Sequence, residues 1–271
     1  MKISMIVLTK NESSRIKECL ESMHGWADEI IIVDDESTDD TCQIASNYTD
    51  KIFKRKMNLE GQQRNFGASK ASNDWVMMID SDERMTSELQ QEIEERLADS
   101  DEKTVAYWVP RRNYIGNYWL RYGGWYPAAH IKVYKKGYLT WREGAHELVH
   151  PGIDIKDGYK GTTLTKDLIH YNFKNIEDYI SKVNRQTTLD ALKWHITGKK
   201  ISFFRAIWKT FDRFGRRQIR KKGHKDGFYG FVASSLSGLY QFFTYIKFCE
   251  IKKYGSYLDI IENKKSISTD A

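Results

Sequence analysis

Two aspartates one residue apart, Asp80 and Asp82, stand with Ser81 and Glu83 directly after an apolar run at residues 75–79. Carboxylates so close would repel if both were buried and unpaired, so something must neutralise them. A hard divalent cation such as Mg²⁺ or Mn²⁺ prefers carboxylate oxygen. It also keeps places for water and phosphate oxygens, which matches a nucleotide diphosphate. A solvated strand end running into a helix would carry acids too, because acids complement a helix N-terminus.

A second acidic run, Asp34-Asp35-Glu36-Ser37-Thr38-Asp39-Asp40-Thr41, follows another apolar stretch. At such a place the carboxylate of Asp34 or Asp35 can accept a hydrogen bond from a ribose hydroxyl or a base imide. Ser37, Thr38 or Asp39 can cap the next helix at the same time. The turn Thr9-Lys10-Asn11-Glu12 lies beside them if the first two strands are neighbours, and its backbone then borders the base. Between the acidic runs, Gly61-Gln62-Gln63-Arg64-Asn65-Phe66-Gly67 opens a helix. Arg64 offers a planar fork for a diphosphate or for an aspartate, and Asn65 can bridge carboxylates and hydroxyls. An ordinary solvated helix start accounts for the same residues. Trp125 and Tyr126 can stack on a sugar face or pack in a core.

These groups need a scaffold that brings strand ends together. Strands are expected at residues 3–8, 29–33, 51–54 and 75–79, and helices at 12–23, 39–48, 62–71 and 87–98. Four such βα units predict an α/β fold with a mostly parallel sheet and ligands at the carboxyl ends of its strands, where both acidic runs fall. After Val105, aromatic strand-like runs at 107–111, 131–134 and 138–141 predict a mixed sheet bearing acceptor-side loops. From Asn175 the pattern is helical, with a frayed tail at 263–271.

The chain has 271 residues, 40% hydrophobic and 30% charged, as an ordinary globule does. Cys19, Cys42 and Cys249 are too few and too scattered for a disulfide framework or a Cys-type zinc site. A reducing compartment is the simplest reading. The apolar run after Lys2 is too short for a signal peptide and reads as a buried strand. Net charge is +6, and residues 199–225 concentrate eleven Lys and Arg against Asp212 alone. Mixed with Phe203, Phe204, Trp208 and Phe211, this pattern fits a helix on an anionic membrane surface. It is preferred here to nucleic acid, because no nucleic-acid module signature occurs. Residues 228–246 carry no charge but contain Ser, Gly and Gln, which favours a buried, dimer-forming or monotopic helix over a membrane span.

The order Ile6-Val7-Leu8-Thr9-Lys10-Asn11-Glu12, Val33-Asp34-Asp35-x-Ser37-x-Asp39-x-Thr41, Gln63-Arg64-Asn65-x-Gly67 and Asp80-Ser81-Asp82-Glu83 resembles family 2 inverting glycosyltransferases of the GT-A fold. The resemblance implies transfer of a hexose from a nucleotide-sugar, a UDP-hexose, with Mn²⁺ or Mg²⁺ as cofactor. Donor-side residues are then Thr9, Asn11, Glu12, Asp34, Asp35, Arg64, Asn65, Asp80 and Ser81. Asp35 would meet the uracil or ribose, Asp80 would lie near ribose and diphosphate, and Asp82 would ligate the metal. Pro110-Arg111-Arg112-Asn113-Tyr114-Ile115-Gly116, Gly123-Gly124-Trp125-Tyr126-Pro127, Val133-Tyr134 and His146-Glu147 are similar to the subgroup of lipopolysaccharide-core glucosyltransferases. The Glu-Asp pair that many members use as base is absent. Glu147 takes its place in order as candidate base, with His146 as a metal ligand or a structural histidine. Trp125 and Tyr126 fall on the acceptor side.

By this likeness residues 1–172 form the catalytic domain, 1–100 for the donor and 101–172 for the acceptor, and 173–262 form a helical extension. The acceptor is expected to be a lipid-linked or cell-envelope glycan, and the location cytoplasmic, on the inner face of the membrane. A protein or peptide acceptor, a sugar nucleotidyltransferase and a non-catalytic membrane-binding scaffold are the alternatives. A homo-oligomer is left open.

Overall fold

Short, nearly continuous apolar runs in the first hundred residues, separated by helical stretches, build a sheet buried on both faces. The computed structural model describes residues 2–99, 101–144 and 151–255. In chain order the N-terminal elements are β1 (Ile3–Thr9), α1 (Ile16–Glu21), β2 (Glu29–Asp34), α2 (Thr41–Ala45), β3 (Ile52–Lys54), α3 (Glu60–Lys70), β4 (Trp75–Asp80), β5 (Glu83–Arg84) and α4 (Ser87–Ala98). There follow β6 (Thr104–Val109), β7 (Arg111–Ile115), β8 (Tyr118–Trp119), β9 (His130–Lys135), β10 (Leu139–Trp141), β11 (Ile153–Ile155), β12 (Lys160–Thr163) and β13 (Leu168–Phe173). Three helices complete the described chain: α5 (Ile176–Ile196), α6 (Phe203–Gly215) and α7 (Gly227–Tyr254).

The main sheet runs β12-β6-β9-β4-β1-β2-β3. Strands β1 to β4 are parallel, and β9 enters antiparallel between β4 and β6. Met5 and Val7 of β1, with Met77 and Ile79 of β4, face Ile16, Cys19 and Leu20 of α1 and Leu89 and Ile93 of α4 in one core. Ile6, Val76 and Met78 belong to the opposite core with Ala68 and Trp141. A parallel sheet covered on both faces demands this near-continuous apolar composition. Gly67 lets α3 close on β1, since an added Cβ there would meet Ile6 Cγ2 at 2.6 Å. The mostly parallel α/β sheet is as expected. Pro110 splits the expected strand at 107–111 between β6 and β7, since proline has no N–H for a ladder.

Register brings the chemistry to one edge. Leu8 pairs with Asp80 and Thr9 with Asp34, so both acidic runs leave the sheet at the carboxyl ends of adjacent strands. The helix expected at 12–23 contracts to α1 because the turn before it is tied elsewhere. The N–H groups of Asn11, Glu12 and Ser13 donate to Ser37, Thr41 and Asp39. Asn11 takes a left-handed φ of 52°, which asparagine tolerates. A second sheet, β5-β13-β7-β8, sets His170 opposite Glu83.

The described residues divide into two compact units, 2–99, 101–121, 125–143 and 151–172 in one, and 122–124, 144 and 173–255 in the other. The second is helical among its described residues. Asn175 caps α5 through the N–H of Asp178, and Trp194 packs with Phe248 and Ile251 of α7. No helix among the described residues is long and apolar enough to cross a membrane, and α7 turns Gly230, Ala233, Ser234 and Ser237 inward.

Glu29 at the start of β2 joins strands that are distant in sequence. Its carboxylate accepts from Ser4, Lys51 and both the N–H and hydroxyl of Ser72. Burial raises its pKa, but these donors prevail and bring it from 4.5 to about 2. A depressed carboxyl stabilises fully above its unfolded value and loses that contribution as pH falls through the folded one. We therefore expect stability to decline from about pH 4.5 towards about pH 2. Glu29→Gln should cost on the order of 2 kcal/mol at neutral pH and flatten that decline, as read by urea midpoints across the range.

Candidate active site

A lysine dictates how the acids at the end of β4 are arranged. Lys132 lies in β9 between buried Ile131 and Val133 and is itself buried. Its Nζ donates to Asp80 Oδ2 at 2.9 Å and to Glu83 Oε2 at 2.5 Å. Glu83, wholly buried, also accepts the Asp80 N–H at 2.9 Å and pairs with Arg111 at 3.3 Å. Arg64 reaches Asp80 Oδ1 at 3.3 Å and Glu60 at 2.7 Å, with its guanidinium 4.8 Å over the Trp141 ring. Burial works to raise the Asp80 carboxyl, yet Lys132 and Arg64 hold it well below the ordinary carboxylate range. Burial likewise opposes the Arg64 charge, and Asp80 and Glu60 more than offset it. The chain's own cations thus offset much of the charge on Asp80 and Glu83, which the argument from repulsion had assigned to a metal.

Asp82 has different surroundings. Its Oδ1 lies 3.4 Å from His170 Nε2, and its Oδ2 lies 3.8 Å from Arg15. His170 Nδ1 faces the Asn113 side-chain oxygen at 2.8 Å, while Asn113 Nδ2 donates to the Trp125 carbonyl at 2.7 Å. That donation fixes the amide orientation, so His170 Nδ1 must carry a hydrogen. Nε2 then faces the carboxylate across 3.4 Å. One carboxylate oxygen and one imidazole nitrogen suit a first-row divalent ion such as Mn²⁺ better than all-oxygen Mg²⁺ chemistry, with the other positions met by water or phosphate. Among the described residues no group of three or more His, Cys, Asp or Glu converges on a metal position.

The expected donor-side residues divide by their contacts. Asp35 accepts from Lys10 at 2.7 Å and from the Met57 N–H at 2.7 Å. Asp34 is committed to its own turn, accepting the Ser37 N–H at 2.8 Å and its hydroxyl at 2.5 Å. Asn11 accepts the Thr38 N–H, and Glu12 clamps Arg15 at 2.7 and 2.9 Å. Thr9 Oγ1 is buried and makes no hydrogen bond among the described residues. Asn65 ties α3 to β10, donating to the Trp141 carbonyl and Glu143 and accepting the Trp141 N–H. Ser81 gives its carbonyl to Arg84. On the acceptor side, Trp125 touches the His170 chain through Asn113, and the Tyr126 hydroxyl lies 3.4 Å from Asp167. His146 and Glu147 lie outside the described residues.

Sequence reasoning missed Lys132, His170, Asn113 and Arg15. The signal for Lys132 was a lysine inside the apolar strand Ile131-Lys132-Val133-Tyr134, which burial obliges to be paired. His170 in Leu168-Ile169-His170-Tyr171 had no comparable cue.

A model of the family described as Glycosyl transferase family 2 matches residues 4–152. An uncharacterized glycosyltransferase from Rickettsia typhi is 30% identical, over 92% of this chain and 87% of its own. The lipopolysaccharide core biosynthesis glycosyltransferase LpsC of Rhizobium meliloti is 29% identical, over 90% of this chain and 91% of its own. Among solved structures, glucosyl-3-phosphoglycerate synthase from Mycobacterium tuberculosis, in complex with Mn²⁺ and uridine-diphosphate-glucose, is 21% identical with a TM-score of 0.36. It covers 42% of this chain and 44% of that one.

Removing the ammonium while keeping its bulk tests the charge arrangement. Lys132→Met should destabilise the chain by roughly 3–5 kcal/mol, because it strands buried carboxylates. Thermal or urea unfolding reads this directly, and a loss under about 1 kcal/mol would mean that Lys132 is not what holds the acids together.

Proposed function

The chain belongs to glycosyl transferase family 2, and we propose that it moves a hexose, with inversion, from a UDP-sugar to a hydroxyl of a lipid-linked or cell-envelope glycan. The observation that carries the reading is the Asp82–His170 pair at the carboxyl edge of the sheet, 3.4 Å apart and oriented from behind by Asn113. The name of the Rhizobium relative supports the acceptor class. Family membership favours glycosyl transfer over the sugar nucleotidyltransferase and scaffold alternatives.

In this reading Asp82 and His170 would hold a divalent cation, which when bound would offset the charge of the departing diphosphate. Thr9 Oγ1 and Asp35 border the nucleoside, Asp35 being held in place by Lys10 and the Met57 N–H. Asp80, kept ionised by Lys132 and Arg64, accepts from the ribose or sugar hydroxyls through its exposed side. Arg15, clamped by Glu12, steadies Asp82. Glu147 takes the acceptor proton as the hydroxyl oxygen attacks the anomeric carbon from the face opposite the diphosphate. Trp125 and Tyr126 border the acceptor.

Sugar transfer from UDP-glucose to a lipopolysaccharide-core acceptor, measured with Mn²⁺, tests these roles. Asp82→Asn should lower turnover by about two orders of magnitude or more while leaving thermal stability unchanged. Asn113→Ala should weaken the metal requirement's half-saturation by about 10–100-fold, as loss of a group orienting a ligand does. Glu147→Gln should bind donor normally and fail to transfer. Wild-type rates in Asp82→Asn would overturn the metal assignment, and wild-type rates in Glu147→Gln would move the base to another acid, such as Glu143 or Asp154.

A further inference from the structure

Helix α6 carries three faces of different chemistry. One packs inward: Ala206 is fully buried, Phe214 meets Phe231 of α7 edge-on at 6.0 Å, and Gly238 admits the Thr210 carbonyl, which an added Cβ would meet at 2.8 Å. A second face repeats at spacings of four and three and presents Phe204, Trp208 and Phe211, which are 82%, 64% and 69% exposed. Beside it run Arg205, Lys209 and Arg216, again at helical spacing. The next turn widens through Arg216–Arg220 and adds Ile219, 69% exposed, and Arg220. Large aromatics left in water on one side of a helix that is packed on another side call for an occupant.

Charge identifies that occupant. Residues 199–225 hold eleven Lys and Arg and one acid, Asp212. Asp212 is already taken by Arg216 at 3.0 Å and Arg220 at 3.2 Å. A second copy docking through this face would set one cationic row against another. An RNA would find phosphate partners and rings to stack on, but Ile219, equally exposed, would be left in water, and the sequence carries no nucleic-acid module signature. A bilayer with anionic headgroups meets both needs, an apolar layer a few ångströms deep for the rings and phosphates for the cations. No helix among the described residues can cross the membrane, so contact would be along the surface.

We propose that α6 and the turn after it lie flat on an anionic phospholipid bilayer, with Phe204, Trp208, Phe211 and Ile219 inserted at the headgroup boundary and Arg205, Lys209, Arg216 and Arg220 on lipid phosphates. The aromatics act as the wedge and the basic row selects the charge of the surface. This inference does not depend on the transfer reaction, because binding needs neither metal nor donor.

Flotation of the full chain with phosphatidylcholine vesicles, with and without phosphatidylglycerol, tests it. The chain should float with the anionic vesicles, be released by high salt, and stay behind with phosphatidylcholine alone. The triple variant Phe204→Ser, Trp208→Ser, Phe211→Ser should partition at least about ten-fold less, with unchanged circular dichroism and unchanged donor binding. Asp82→Asn should float as wild type does, which separates this inference from the catalytic one. The proposal is overturned if the full chain ignores anionic vesicles, or if the triple variant floats as well as wild type. It is equally overturned if the triple substitution abolishes a self-association or an RNA complex while leaving flotation intact.

Discussion

A buried ammonium cannot stand alone, and Lys132 is the constraint around which the catalytic edge is organised. It sits on β9, the strand that enters antiparallel beside β4, and it reaches Asp80 and Glu83 together. Taking these charges out of water is costly unless each finds partners, and each does: Arg64 joins Asp80 and Arg111 joins Glu83. The acids after β4 thereby differ in their partners. Asp80 and Glu83 form a neutralised, rigid base, and Asp82 looks instead toward His170.

The rest of the edge is fixed by short polar links between loops. Asn11, Glu12 and Ser13 after β1 are bonded to Ser37, Thr41 and Asp39 after β2, which ties two strand ends together. Asn113 links His170 to the Trp125 carbonyl, joining the proposed metal ligand to a loop on the acceptor side. Gly67 lets α3 press close enough for Arg64 to reach Asp80. Most of the named polar residues therefore position a few reactive ones, an economy suited to a site that must keep charged groups within tenths of an ångström.

Much of this was legible in the sequence where local physics decides. The apolar runs in Ile3–Thr9 and Trp75–Asp80 pointed to strands, and the acids after the second and fourth strands to the carboxyl edge, since a strand buried on both faces is apolar nearly throughout. The order of short motifs led to the family. What stayed hidden came from pairing at long range. Lys132 lies 52 residues from Asp80 and His170 lies 57 from Asn113, and no local pattern announces either approach. Hence repulsion between the acids identified a need for counter-charge but not that Lys132, Arg64 and Arg111 meet part of it. Nor did it show that the side chains of Asp34 and Asn65 hold loops and strands of the protein itself. His146 and Glu147 lie outside the described residues, so the base rests on order in the sequence alone.

The division of labour among the acids is tested most directly by electron spin-echo envelope modulation of Mn²⁺ bound together with UDP. The account predicts modulation from one coordinated imidazole nitrogen, lost in His170→Gln and retained in His146→Gln. A spectrum without nitrogen modulation, or one that survives His170→Gln, would contradict it.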